Sequence, residues 1–219
     1  MKTALIIGST GLIGTELLHL LLNSPVYGNV VLFTRKDTGV THPKLSQHII
    51  NFDQPESYSH LVKGEDFFCT IGTTIKKAGN REAFSKVDLD YPTTFARLAA
   101  ANNIKRFLFI SSIGADPDSS NFYLKTKGKL ESIIRNIGIP MVASFRPSVL
   151  VGNRPEFRAA EKFGAFVMGL FSFLLIGNLK KYRPIKANVV AKALLSIAQQ
   201  EYIGFKTYES DTIQQIARI

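Results

Sequence analysis

The sequence has little cysteine, no long run of one charge, and no repeated or low-complexity segment. Its single cysteine, Cys69, excludes an intramolecular disulfide. No Lys/Arg run exceeds two residues, although Lys and Arg outnumber Asp and Glu by 27 to 17. Such a surplus suits a phosphorylated ligand, an anionic membrane surface or nucleic acid, and its scatter through helices and loops reads mainly as solvated surface. Nucleic acid is therefore not expected as a partner. No basic segment with an apolar signal core precedes the first strand pattern, which begins right after Met1-Lys2. Together with the lone cysteine, this leads to the expectation of a reducing cytoplasm.

What is present is enough apolar material for one sizeable core. A chain of 219 residues with 45% hydrophobic content suits one α/β domain with elaborations and is short for two. Apolar runs at Thr3–Ile7, Asn29–Thr34, Gln47–Asn51, Asp66–Thr70, Arg106–Ser111 and Met141–Phe145 read as six strands, each too apolar to be half exposed. Helical spacing separates them, first at Leu12–Leu22 and most clearly at Val87–Ala101 and Phe122–Ile137. Strands alternating with helices predict a parallel sheet wrapped on both faces. After Arg146-Pro147 the alternation weakens. Residues 1–147 are expected to form a cofactor-binding core, and residues 148–219 a small substrate-side elaboration of the same domain.

The first turn carries the strongest motif. Gly8-Ser9-Thr10-Gly11-Leu12-Ile13-Gly14 is a G-x-x-G-x-x-G turn between strand and helix. Glycines there let the backbone bend tightly and approach a pyrophosphate, whose charge meets the free N–H groups of the helix amino terminus. The expected fold is thus a doubly wound sheet of Rossmann type. A cofactor with a 2′-hydroxyl is usually held by a carboxylate near the end of the second strand, whereas a 2′-phosphate calls for arginine. That strand ends Thr34-Arg35-Lys36, with Asp37 beyond the two cations, so NADP(H) is preferred over NAD(H). Asp53 stands where an adenine amino group would be accepted, and a turn explains it equally well. Thr70, Ile71 and Gly72, in Cys69-Thr-Ile-Gly-Thr-Thr74, would let the backbone pass close to the ribose and nicotinamide. Cys69 has no histidine partner nearby in sequence and reads as a buried small hydrophobe.

Tyr123 and Lys127 are four residues apart on a predicted helix, so they share one face. Leu130 and Ile134 continue that stripe, which turns Lys127 inward and leaves Lys125 and Lys129 outside. An inward lysine needs an anionic or polar partner. Its ammonium would stabilise a phenolate and so bring Tyr123 into the range useful for acid–base work. Ser111 and Ser112 end the fifth strand, and either is placed to hydrogen-bond the same substrate oxygen, Ser112 being preferred.

In this combination the residues resemble the short-chain dehydrogenase/reductase superfamily, specifically its atypical branch related to Tat-interacting-protein-like oxidoreductases. The resemblance rests on Gly8–Gly14, on Cys69-Thr-Ile-Gly-Thr-Thr74 followed by Lys77-Ala-Gly79, and on Val87-Asp88-x-Asp90-Tyr91. It continues through Ser111-Ser112-x-Gly114-Ala115-Asp116, Ser119-Ser-Asn-Phe-Tyr123-x-x-x-Lys127-Gly128 and Phe145-Arg-Pro147-x-Val-Leu150. It implies a Rossmann fold, NADP(H) held by the glycine turn and the Arg35 region, and a Ser112-Tyr123-Lys127 group. The expected activity is hydride transfer to a small carbonyl-type substrate. Two other readings stay open: a non-catalytic protein that senses NADPH and binds a partner, and an epimerase acting on a nucleotide sugar. In the epimerase, Arg146, Arg154 and Arg158 would hold the diphosphate. Phe163–Leu179 has no charged residue over 17 positions, slightly short of the roughly 20 that a spanning helix needs. It reads as a pocket-lining helix or dimer surface first, then as a membrane-surface contact.

Overall fold

Strands that are apolar on both faces are satisfied only in a sheet covered on both sides. The computed structural model describes residues 1–151 and 177–218. In chain order these form β1 (Lys2–Ile7), α1 (Leu12–Asn23), β2 (Tyr27–Thr34), β3 (Leu45–Ile49), α2 (Pro55–Tyr58), β4 (Asp66–Cys69), α3 (Ile75–Ala78) and α4 (Arg81–Ser85). A π-helical turn (Lys86–Asp90) then leads into α5 (Tyr91–Ala101), β5 (Arg106–Ile110), α6 (Phe122–Arg135), β6 (Met141–Arg146) and β7 (Leu150–Val151). Residues 177–218 contribute β8 (Ile185–Lys186), α7 (Ala187–Ile197), β9 (Gly204–Glu209) and α8 (Ser210–Ile216).

Seven strands form one parallel sheet in the order β3-β2-β1-β4-β5-β6-β9. The chain runs outward from β1 to β3, then crosses back to β4 on the other side of β1. The reversal opens a crevice above the carboxyl ends of β1 and β4, where α/β sheets take their ligands. Side chains alternate across the sheet. Ala4, Ile6, Leu32, Phe68 and Leu108 pack with α1 and α7, while Leu5, Ile7, Phe33, Phe67 and Phe107 pack with Phe95 of α5 and Leu130 and Ile134 of α6. At the opposite, amino end of the sheet, buried Asp66 accepts hydrogen bonds from Tyr27 Oη at 2.7 Å and Arg106 Nη1 at 3.0 Å, pinning three strands far from the crevice.

The expected doubly wound sheet is present, with four differences. First, β3 is an edge strand whose residues are half-buried or exposed, because only β2 covers it. Second, the helical pattern from Val87 is a π turn as far as Asp90, and the α-helix begins at Tyr91. Third, residues 204–209 form a seventh strand, which the sequence pattern did not indicate. Fourth, α7 lies against α1 and covers one face of the sheet. Of the apolar stretch Phe163–Leu179, residues 163–176 lie outside the described residues, as do Arg154 and Arg158. Among the described residues, no helix is long and apolar enough to cross a membrane.

The crevice demands glycine at two places. Gly8 has φ +82°, and a Cβ on it would stand 2.5 Å from Ile71 N; one on Gly14 would stand 2.1 Å from Gly8 O and 2.7 Å from Thr70 Oγ1. Gly14→Ala should therefore lower the free energy of unfolding by roughly 1–3 kcal/mol or more, because backbone atoms cannot step aside. Gly39 has φ +68° but nothing within 4 Å, so Gly39→Ala should lower it by only about 1 kcal/mol. Urea unfolding of both variants tests this, and equal losses would refute the close-approach argument.

Candidate functional site

The turn after β1 is built from backbone. Gly11 N donates to Gly8 O at 3.0 Å, and Thr15 Oγ1 donates to Ser9 O and Gly11 O, each at 2.9 Å. Thr15 is the residue that locks the turn, and the sequence reading passed over it. Gly11 is the N-cap of α1, with no side-chain cap and no acidic residue in the first turn, so the helix meets the crevice with bare N–H groups. Ser9, Ile13 and Gly14 are buried, Leu12 is half-buried, and Thr10 and Gly11 are exposed. Across from them, Thr70 is tied to β1 by N and Oγ1, which both donate to Ile7 O at 3.0 and 2.8 Å. Ile71 and Gly72 follow along the floor of the crevice.

Arg35 and Lys36 are both exposed beyond the end of β2. Asp37 is occupied by the turn: it accepts from Gly39 N at 2.9 Å and Gln47 Nε2 at 2.7 Å. Those two bonds hold its carboxyl below the usual carboxylate range. Asp53 is also engaged. Lys86 Nζ lies 2.8 Å from its carboxylate and Tyr91 Oη donates to it at 2.9 Å, and these bonds, in that order, with help from Arg35, keep the carboxyl low. Asp53 and Tyr91 line a cavity of about 540 Å³ with Phe52, Asn80, Lys86 and Thr94. An adenine amino group meeting Asp53 would share it with these two donors.

The other end of the crevice is dry. Lys127 is 3% exposed and points inward from α6, while Lys125 and Lys129 are exposed. Its Nζ lies 2.7 Å from Asp88 Oδ1 and donates to Ile110 O at 3.3 Å. Burial works against the ammonium, but Asp88 and Tyr123 outweigh it and hold Lys127 above the ordinary lysine value. Asp88, 1% exposed, also accepts from Thr73 N at 2.8 Å. Tyr123 is half-buried one turn before Lys127, its ring 5.7 Å from that of Phe84. α6 comes close to the loop after β5 at Gly128, where a Cβ would stand 2.1 Å from Asp116 C. Of the two serines on that loop, Ser112 is half-buried and its hydroxyl donates to Ile113 O at 3.3 Å. Ser111 is 2% exposed, and its hydroxyl has no partner among the described residues.

Two other expectations meet the structure here. Cys69 is 2% exposed, and burial pushes its thiol up to about 12. Arg146 is held by Glu131, its Nε donating to Oε1 at 2.8 Å, which leaves it engaged inside the protein instead of free for a diphosphate. Asp88 is the site residue that sequence reasoning placed in a motif without giving it a role. The signal was there, since a lysine turned inward needs an anion and Asp88 lies in another of the matched motifs, Val87-Asp88-x-Asp90-Tyr91.

A family described as NAD(P)H-binding matches residues 8–154, from the glycine turn to just past β7. The chain belongs to the NAD(P)H-binding family. Rat protein HTATIP2 is 34% identical over 164 residues, covering 73% of this chain and 67% of that protein. The protein FMP52 of Debaryomyces hansenii is 33% identical over 208 residues, covering 90% and 88%, and that of Candida albicans is 29% identical over 209 residues, covering 91% and 89%. The resemblance to the atypical short-chain branch stands on these relatives. Among solved structures, the enzyme WbmH of Bordetella bronchiseptica in complex with NAD+ superposes with a TM-score of 0.72 at 16% identity, covering 100% of this chain and 80% of that one. The UDP-glucose 4-epimerase of Thermotoga maritima gives 0.69 at 13%, covering 99% and 81%. At such identities the likeness is one of fold.

The relatives correct one expectation. A lone cysteine and the absence of a leader pattern pointed to the cytoplasm, yet the fungal FMP52 proteins, which match about nine-tenths of the chain, are named as mitochondrial. A single unpaired cysteine is consistent with any reducing compartment and does not select one. Within this NAD(P)H-binding protein, Cys69 should be inert. A disulfide-exchange reagent should label it only as fast as the chain unfolds, the rate rising with urea alongside the unfolding transition. Rapid stoichiometric labelling of the native protein would contradict its assignment to the core.

Proposed function

We propose that the protein is an NADPH-dependent oxidoreductase that reduces a small carbonyl substrate in the crevice above β1, β4 and β5. The observation that carries this reading is the inward Lys127, charged and one turn from Tyr123, at the edge of a crevice built to take a dinucleotide. The residues present fit such a cofactor: bare N–H groups at α1 for the pyrophosphate, glycines where a Cβ would collide, and two exposed cations at the end of β2. With Asp37 spent on its own turn, Arg35 offers a planar fork to a 2′-phosphate and Lys36 a point charge.

Bound NADPH would supply a hydride to the carbonyl carbon. Tyr123 would give its hydroxyl proton to the carbonyl oxygen, leaving an alcohol, and Lys127 would stabilise the phenolate until solvent restores the proton. Ser112, loosely engaged and half-buried, would hold the same oxygen. Ser111, buried and without a partner among the described residues, would face the cofactor side.

Calorimetric titration with NADPH and NADH tests the nucleotide half. NADPH should bind more tightly, and Arg35→Ala should weaken NADPH about 10- to 100-fold with little effect on NADH, as expected for one charge-assisted contact. Binding of neither nucleotide would reduce the glycine turn to architecture. The chemical half is tested by following NADPH oxidation with a panel of small aldehydes and ketones. Tyr123→Phe should slow an active substrate roughly 10²- to 10⁴-fold while leaving NADPH affinity near wild type. Unchanged turnover in that variant would remove Tyr123 from the chemistry.

A further inference from the structure

We propose that Asp88 is a positioning residue that fastens Lys127 and the loop of residues 70–74 together, so that the acid–base lysine is in place only when the dinucleotide loop is. The proposal rests on the functional reading above. Its geometry is a carboxylate used at both ends. Oδ1 lies 2.7 Å from Lys127 Nζ on α6, and Oδ2 accepts from Thr73 N at 2.8 Å on the loop after β4. The preceding residue of that loop packs against the same carboxylate: a Cβ on Gly72 would stand 3.4 Å from Asp88 Oδ1, in van der Waals contact. With Asp88 and the Lys127 side chain only 1% and 4% exposed, water does not substitute for either contact.

The backbone that presents Asp88 is also unusual. It lies in the middle of the π turn Lys86–Asp90, a wide turn of the kind found often at functional sites. The same short segment holds the other end of the crevice, because Lys86 and Tyr91 both bind Asp53. One turn thus braces the cavity beside Asp53 and the lysine beside Tyr123. Among the described residues, four elements face Lys127: the π turn with Asp88, α6 with Tyr123, β4 with Cys69, and β5 with the carbonyl of Ile110. Cys69 is held as a neutral thiol, and Asp88 is the one carboxylate among them. A contact shared in this way couples its two sides reciprocally: whatever orders the loop favours the lysine geometry, and the reverse.

Two variants test the two directions. In Asp88→Asn, the Lys127 ammonium, followed by NMR of carbon-13-labelled lysine and assigned with Lys127→Arg, should lose its proton roughly a hundredfold more readily than in wild type. In Lys127→Met, the Thr73 amide should exchange with solvent about tenfold faster, because a carboxylate no longer fixed by the ammonium holds that N–H less well. Asp88→Glu, which keeps the charge, should leave Lys127 protonated. A purely space-filling Asp88 would move neither signal in the folded variants, and failure of either shift overturns the proposal. Should Asp88→Asn not fold, the Lys127→Met exchange rate decides alone. Neither readout uses NADPH, so wild-type protein that binds NADPH with both signals unmoved sinks this proposal only. Wild-type protein that binds no nucleotide sinks the reading beneath it.

Discussion

Gly14 can sit under the first turn only because it has no side chain, and the rest of the crevice depends on that closeness. Gly14 touches Gly8 and Thr70, Gly8 touches Ile71, and Thr70 bonds twice to Ile7, so the turn after β1 and the loop after β4 are joined through backbone. Backbone contacts leave little freedom for rotamers to shift, which makes this junction stiff. The loop that continues from it is then received by Asp88, and Asp88 receives Lys127. A chain of contacts runs from the amino end of α1 to the inner face of α6.

The fold was legible in the sequence where burial is two-sided. Four of the central runs, at β1, β4, β5 and β6, are mainly apolar, with their charged residues at the strand ends, and lie with neighbours on both edges, so pattern and structure agree to within about a residue. The failures lie at the sheet's edges and at an irregular turn. β3 and β9 each pair on one side, and β9 carries Lys206, Thr207 and Glu209 among its apolar residues, too polar a run to stand out. At Lys86–Asp90, helical spacing predicts a helix, but five residues take the wider π turn, and that widening is what turns Asp88 toward α6 and Tyr91 toward Asp53.

The site was legible to the degree that single residues imply their own surroundings. A glycine turn after the first strand implies close backbone, and the structure places one there. A lysine on the apolar stripe of a helix implies an anion, and Asp88 supplies it. What a residue faces across the sheet is not written locally, so the engagement of Asp53 by Lys86 and Tyr91 had no signal. The same holds for the capture of Arg146 by Glu131. Each of these depends on a contact made more than ten residues away.

The two ends of the crevice differ in their electrostatics. Near β2, Arg35 and Lys36 are exposed, and the Lys86–Asp53 pair is about half exposed on both partners, so these charges act in a medium close to water. Near α6, the Lys127–Asp88 pair is all but sealed. Salt at physiological strength screens charges over about 8 Å in solvent and far less in the interior. The exposed cations are therefore suited to attracting and sorting an anionic ligand, where strong fixed binding is not required. The sealed pair is suited to keeping one ammonium charged and still, since moving either partner would leave the other bare in a medium that penalises it. The π turn touches both regions, through Lys86 at the wet end and Asp88 at the dry one.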